Sequence, residues 1–475
     1  MKTLWQKNQG SFTGTSGSVP DRSWFYRFTV EGDRELDRNL IPYDILVNIA
    51  QARMLRKIGV YDERGSSKVI RVLEEAYRQW TQGRFEIGPD DEDVHSAIEN
   101  LLTTKAGQDG ARIHTGRSRN DQVLADMRMY MKDVICEIFV DWLAIARRLE
   151  ALAKKYNGVF FTGLTHTQPA MPHSADAWAT GYMDLLLSDL QALQHSYVEA
   201  DCSPLGSAAG FGVPYIRIDR EFIAKELGFA RVQEPVAAAQ LSRGRIELQL
   251  IDALSYGALT FNRLASDVVL FMHPSWSLIR LSEDQVSGSS IMPQKRNPDV
   301  WELIRGAYHD LQAARVQLAG ISANLPSGYH RDLQLVKKGL MVAVGQSKQL
   351  AVAVRHALNG LEFDKEAATK SLRPEIFATH RANELVAGGM PFREAYRLVA
   401  TESQKTSEHA NYVDQRQEKD NKTSSGSSSI PDIGKYFHSG APGSGVPGYL
   451  SDRLNEAELW IEKQNKRAEQ FRSKL

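Results

Sequence analysis

The residues from Gly288 to Asp299 read Gly-Ser-Ser-Ile-Met-Pro-Gln-Lys-Arg-Asn-Pro-Asp and place two hydroxyls, two cations and a helix start in one loop. Ser289 and Ser290 behind a glycine can approach a ligand closely, and Lys295 and Arg296 supply positive charge. Asn297, Pro298 and Asp299 read as an N-cap, a proline at the first helical position and a first-turn acid. Such a loop suits a substrate that carries carboxylates. Removing a proton from the carbon beside a carboxylate drives negative charge onto its oxygens. Fixed cations or N–H donors aimed at them are the remedy, and losing one such donor costs about 10²–10³ in rate.

Other segments could serve the same chemistry. His166 is followed by Pro169 and Pro172, which keep it on a loop instead of a helix interior. Arg117-Ser118-Arg119-Asn120-Asp121 opens a long helical stretch, where backbone N–H groups and two guanidiniums can converge on an anion, although the bare pattern also reads as a solvated basic turn. Tyr329 to Lys337 follows a Pro-Ser-Gly turn and by itself looks like a capped amphipathic helix. The acidic run Asp90 to Asp93 ahead of His95 is accounted for by the helix dipole alone. The glycine-rich stretch Gly206 to Gly212 has no strand before it and no P-loop lysine after it, which argues against nucleotide binding.

The elements that must position these residues are helical. Apolar spacing predicts helices over 44–55 and 68–82, then long ones over about 121–156, 173–200, 240–272, 300–323 and 333–360. Strand patterns are scarce, and the fold class is all-α. The stretch 121–156 would be about 54 Å long, with apolar residues around most of its circumference, so it must be buried on several sides. A bundle whose remaining apolar faces meet other copies is the plain reading. Residues 11–32 read as an irregular lead-in, and 420–448, rich in Ser, Gly and Pro, as a loop with little capacity for a core. We therefore expect three parts, 1–112, a central bundle at 113–363, and 364–475.

The 475 residues carry 58 Lys plus Arg against 58 Asp plus Glu, so no global field attracts nucleic acid or an anionic membrane. Two cysteines, Cys136 and Cys202, in apolar or helical surroundings argue for a reducing compartment and exclude metal sites of the cysteine type. Without an apolar leader or an apolar run of about 18 residues, a cytoplasmic protein is expected.

The 288–299 loop resembles the signature of the fumarase/aspartase superfamily, and Ile113-His114-Thr115-Gly116-Arg117-Ser118-Arg119-Asn120-Asp121-Gln122 resembles the argininosuccinate lyases within it. The resemblance implies a fumarase/aspartase-like fold, a long central bundle flanked by two smaller, mainly helical domains. It also implies a homotetramer whose active sites each draw on three subunits. The implied reaction is reversible anti elimination of argininosuccinate to arginine and fumarate, with no cofactor and no metal. It assigns Ser289 as the base, Lys295 as the dianion stabiliser, and His166 oriented by Glu302 as the group that holds or relays the proton for the leaving nitrogen. Arg119, Asn120, Thr165, Asn297, Tyr329, Gln334 and Lys337 are implied substrate ligands, with Ser118, His95 and Asp33 in a second rank.

The chain also departs from that pattern. Many members have Asn-Lys at His330-Arg331, lysine at Arg296, a Ser-x-Arg-Asp element where this chain has Leu241-Ser242-Arg243-Gly244-Arg245, and a serine near Asp33. The fumarate-forming half is intact, and the changes fall on the pocket for the arginine half. The runner-up is a C–N lyase acting on another N-substituted aspartate. A non-catalytic structural relative is disfavoured because Ser289, Lys295, His166 and Glu302 are all present.

Overall fold

The computed structural model describes residues 24, 28–29, 32–88, 91–402 and 439–472. The first part contains α1 (Gly32–Asp37), α2 (Ile41–Lys57), α3 (Glu63–Thr81) and α4 (Val94–Ala106). α2 and α3 each begin earlier than apolar spacing predicts, and local chemistry explains both starts. Pro42 sits in the first turn of α2, and the Asp62 side chain caps α3 by accepting from Gly65 N at 2.7 Å. Asp93 caps α4 and exchanges hydrogen bonds with Ser96 in a capping box. Most of the 11–32 lead-in, Asp90, and 420–438 lie outside the described residues.

The bundle consists of α5 (Arg119–Lys155), α6 (Ala175–Ala200), α7 (Arg245–Phe271), α8 (Asp299–Ser322) and α9 (Leu335–Asn359). α5 has 37 residues, about 55 Å, and packs on α2, α6 and α9. It also meets the final helix α10 (Gly448–Arg472), which lies back on the bundle and lends Leu450, Leu454 and Ile461 to its core. Ser118 starts α5 by accepting from Asn120 N at 3.2 Å, while Asp121 accepts from Ser118 N at 3.0 Å. Gly257 of α7 lets the buried Trp142 ring of α5 approach so closely that a Cβ there would lie 2.1 Å from it.

Four of the five long helices fall within about two residues of their predicted bounds. The stretch expected as one helix over 240–272 does not: a short helix ends at Leu241, and α7 begins at Arg245. Gly244 makes the break, with φ of 78° and no room for a Cβ against Ser322 Oγ.

Strands are few but one pair matters. β1 (Phe160–Thr165) and β2 (Gln168–Ser174) form an antiparallel hairpin closed by the Thr165 and Gln168 pair. His166 and Thr167 are its two-residue loop, and both are left-handed at φ 54° and 62°, as the turns favoured by two-residue hairpins require. The hairpin base is anchored by Phe161 against Phe271, with ring centres 5.4 Å apart, and by Thr162 N on Ser371 Oγ at 3.0 Å. β3 (Cys202–Ser203) pairs with β4 (Arg231–Val232), and β5 (Ile279–Leu281) with β6 (Leu361–Phe363). Among the described residues no helix is long and apolar enough to cross a membrane.

Candidate active site

A cavity of about 220 Å³ opens where α1, the start of α4, the start of α5, the break before α7 and the start of α9 meet. It gathers Asp33, His95, Arg119, Asn120, Tyr329, Gln334 and Lys337 from segments far apart in sequence. Four of them form one network. Gln334 Nε2 donates to Asp33 Oδ2, Tyr329 OH donates to Gln334 Oε1 at 3.3 Å, and Lys337 Nζ lies 3.4 Å from Asp33 and in a closer pair with Asp37. Burial raises the Asp33 carboxyl above its ordinary range, with Lys337 pulling the other way. Burial would depress Lys337, but Asp37 and Asp33 outweigh it and its pKa is raised.

Arg119 is held by carboxylates. Its Nη1 is 3.3 Å from both Glu92 and Asp93, so the acidic run does more than cap α4. Ser118 acts as the α5 cap and does not line the cavity.

Behind the cavity wall, His95 Nδ1 is 2.9 Å from Asp44 and 3.6 Å from Asp126, all three buried. Burial alone would lower the His95 pKa, yet Asp44, Asp93 and Asp37 raise it. The two aspartates are pushed apart. Burial opposes ionisation of Asp44, but His95 and Arg117 hold its pKa low, whereas burial and the nearby Asp44 charge raise that of Asp126 well above normal. These three groups could surround a cation, but Arg117 already supplies positive charge to both aspartates.

The remaining candidates stand elsewhere. Ser287 and Asn297 exchange backbone hydrogen bonds at 3.0 and 2.9 Å and close the loop that carries Ser289 and Lys295. Ser289 Oγ accepts from Met292 N at 3.2 Å, Arg296 is clamped by Glu283 at 2.6 and 2.8 Å, and Lys295 is exposed with no ion pair among the described residues. Asn297 does not cap α8: its amide nitrogen reaches Ser287 Oγ at 3.4 Å, the cap position is Pro298, and no side chain caps. Glu302 falls in the first turn of α8 and is exposed.

Thr165 and His166 are exposed at the hairpin tip, and His166 stands on a loop as the prolines suggest, here the two-residue turn of a hairpin. Among the described residues no ion pair joins His166 to Glu302. Sequence reasoning missed Asp37 and Glu247 as cavity residues, although Asp37 lies one helical turn from Asp33.

The Lyase family profile matches residues 24–312. The chain is 41% identical over 374 residues to the argininosuccinate lyase of Thermotoga neapolitana, covering 79% of this chain and 94% of that protein. It is 43% identical over 376 residues to that of Sorangium cellulosum, covering 79% and 87%. Among solved structures, EDDS lyase in complex with formate superposes with a TM-score of 0.76 at 18% identity, covering 97% of this chain and 95% of that one. The class II fumarase of Schistosoma mansoni gives 0.68 at 15%, covering 80% and 86%. An all-α bundle with these matches and with the residues gathered around its cavity belongs to the argininosuccinate lyase family of the fumarase/aspartase superfamily.

Proposed function

We propose that this C–N lyase cleaves argininosuccinate reversibly to L-arginine and fumarate by anti elimination, without a cofactor. The observation that carries the reading is identity of 41–43% to argininosuccinate lyases over most of both chains. The geometry agrees with it. Five of the seven residues assigned to substrate binding, Arg119, Asn120, Tyr329, Gln334 and Lys337, line one cavity, while Thr165, Asn297 and the proposed base and proton-relay residues stand on other projections of the same chain.

In this reading Ser289 removes the proton from the succinyl carbon beside a carboxylate, and Lys295 stabilises the charge that gathers on that carboxylate. The C–N bond then breaks, and His166, oriented by Glu302, holds or relays the proton to the leaving nitrogen. Thr165, Asn297, Arg119 and Asn120 bind the succinyl carboxylates. Arg119 must exchange part of its hold on Glu92 and Asp93 for substrate, which makes those acids a brake on binding in the empty site.

Because Ser289, Lys295 and His166 project from the chain instead of lining its cavity, we infer that other copies complete each site in a homotetramer. Outward apolar residues on the long helices support this, among them Leu303 at 75% exposure and Val316 at 68%. The three-part division at 1–112, 113–363 and 364–475, and a cytoplasmic location, belong to the same proposal. The test is fumarate release from argininosuccinate, followed by ultraviolet absorbance with arginine quantified in the same sample. Equal amounts of the two products, absent in an assembled Ser289→Ala protein, are expected. An assembled native protein without turnover would refute the substrate assignment and direct attention to fumarate with other amines.

A further inference from the structure

Two opposite charges on one wall of the cavity each keep one buried atom unpaired. Arg243 stands in the break before α7, and Glu247 lies four residues on, in the first turn of that helix; both line the cavity. Arg243 Nη1 and Glu247 Oε2 are each wholly buried without a hydrogen-bond partner among the described residues. No ion pair joins them to each other, although each feels the other's charge. The other cations of the cavity are engaged: Arg119 by Glu92 and Asp93, Lys337 by Asp33 and Asp37, and Arg331 by the Thr29 carbonyl at 3.0 Å.

The position is built and rigid. Arg128 Nη2 donates to Ser242 Oγ at 2.8 Å and ties the break to α5, while Ser322 closes the space beside Gly244. The Arg243 guanidinium lies over the Tyr329 ring, 4.9 Å from its centre, which fixes its plane. Unpaired buried charge is costly, and such groups are retained where a ligand satisfies them. A carboxylate answers an arginine fork, and an ammonium answers a carboxylate. The two lie four residues apart across the Gly244 break on one wall of the cavity, and a free α-amino acid group carries both complementary charges on a single carbon.

We propose that Arg243 and Glu247 together read the α-amino-acid end of the amine half of the substrate, Arg243 taking its carboxylate and Glu247 its ammonium. This rests on the argininosuccinate reading above and names specificity residues of that same site. It gives the cavity a direction: the succinyl half faces Arg119, Asn120 and the projecting loops, and the far end of the arginine half lies against the α7 break. Neither residue touches the bond that breaks, so their loss acts on selection of the amine and not on the elimination itself.

The test uses the full-length protein in the synthetic direction, fumarate plus an amine. The amines are L-arginine, its decarboxylated analogue agmatine, and 5-guanidinopentanoate, which lacks the ammonium. The native protein is expected to prefer arginine to both analogues. In Arg243→Gln, kcat/KM for arginine should fall about 10²-fold, the worth of one charge-assisted pair, while that for agmatine is unchanged. Glu247→Gln should lose its preference over 5-guanidinopentanoate only. Arg243→Lys, which keeps the charge without the fork, should restore part of the arginine preference, and thermal melting of each variant monitors the fold.

An equal fall for arginine and agmatine in Arg243→Gln, or a raised KM for fumarate, would overturn the assignment while leaving the argininosuccinate reading in place. A native protein that joins no guanidino amine to fumarate overturns both.

Discussion

Replacing Lys337 by methionine tests whether the cavity floor is held by charge. The ammonium is 8% exposed and sits between Asp33 at 3.4 Å and Asp37, whose side chain is 1% exposed, so it links α1 to α9. Methionine keeps most of the volume and leaves two buried carboxylates facing each other. Breaking a buried pair in this way costs about 3–5 kcal/mol, mostly from the uncompensated charge left behind. The cost must depend on pH. Burial already raises Asp33 above its ordinary 3.8, and Lys337 is the largest influence opposing that rise, so without the lysine it climbs further. The folded variant then binds more protons than the unfolded chain. Its stability is highest below the unfolded pKa and is lost as pH rises through the folded one, by up to about 1.4 kcal/mol per pH unit for each proton. Urea denaturation followed by circular dichroism at pH 5, 6.5 and 8 should therefore show a deficit relative to the native protein that is largest at pH 8 and shrinks toward pH 5. Adding Asp37→Asn to the variant should recover more than half of the pH 8 loss. A deficit constant across the three pH values, or no recovery in the double variant, would refute the argument that repulsion between uncompensated carboxylates sets the cost.

Gly257→Ala should destabilise the bundle by about 1–3 kcal/mol despite alanine's better helix propensity, because its Cβ meets the Trp142 ring at 2.1 Å. Pairing it with Trp142→Leu should recover part of the loss in a thermal melt, and an undamaged single variant would mean that the ring moves aside freely. At the hairpin tip, left-handed backbone costs a residue other than glycine about 1–2 kcal/mol, so Thr167→Gly should raise the melting temperature slightly. His166→Gly should do the same while abolishing turnover; a fall in melting temperature for either would show that contacts of the side chain outweigh the backbone strain.

The long helices were legible because their cause is local. The apolar repeat and the Ser118 cap define α5 within about two residues, and the Asn297-Pro298-Asp299 wording located the start of α8 even though the predicted cap proved to be a loop clasp. The break at 242–244 was not legible, because Gly244 inside an apolar helical pattern costs only about 1 kcal/mol and does not by itself stop a helix. The left-handed backbone at Gly244 marks it, and Ser322, brought in by α8, leaves no room there for any other residue. The hairpin was hidden for a related reason: Thr165 to Ser174 has little alternation, and the strands are held by Phe271 and Ser371 from distant parts of the chain.

Composition, apolar period and motif wording carried the fold class and the family. These depend on residue type and on neighbours within a few positions, and both are written in one dimension. Which carboxylate faces which cation was decided only by the packed chain. Asp33 and Asp37 meet Lys337 across some three hundred positions, Glu92 and Asp93 restrain Arg119, and Arg243 and Glu247 each keep a buried atom unpaired in a cavity the others line. Electrostatic energy at such sites is set by distances of a few ångströms and by exclusion of water, and both arise when helices distant in sequence pack together.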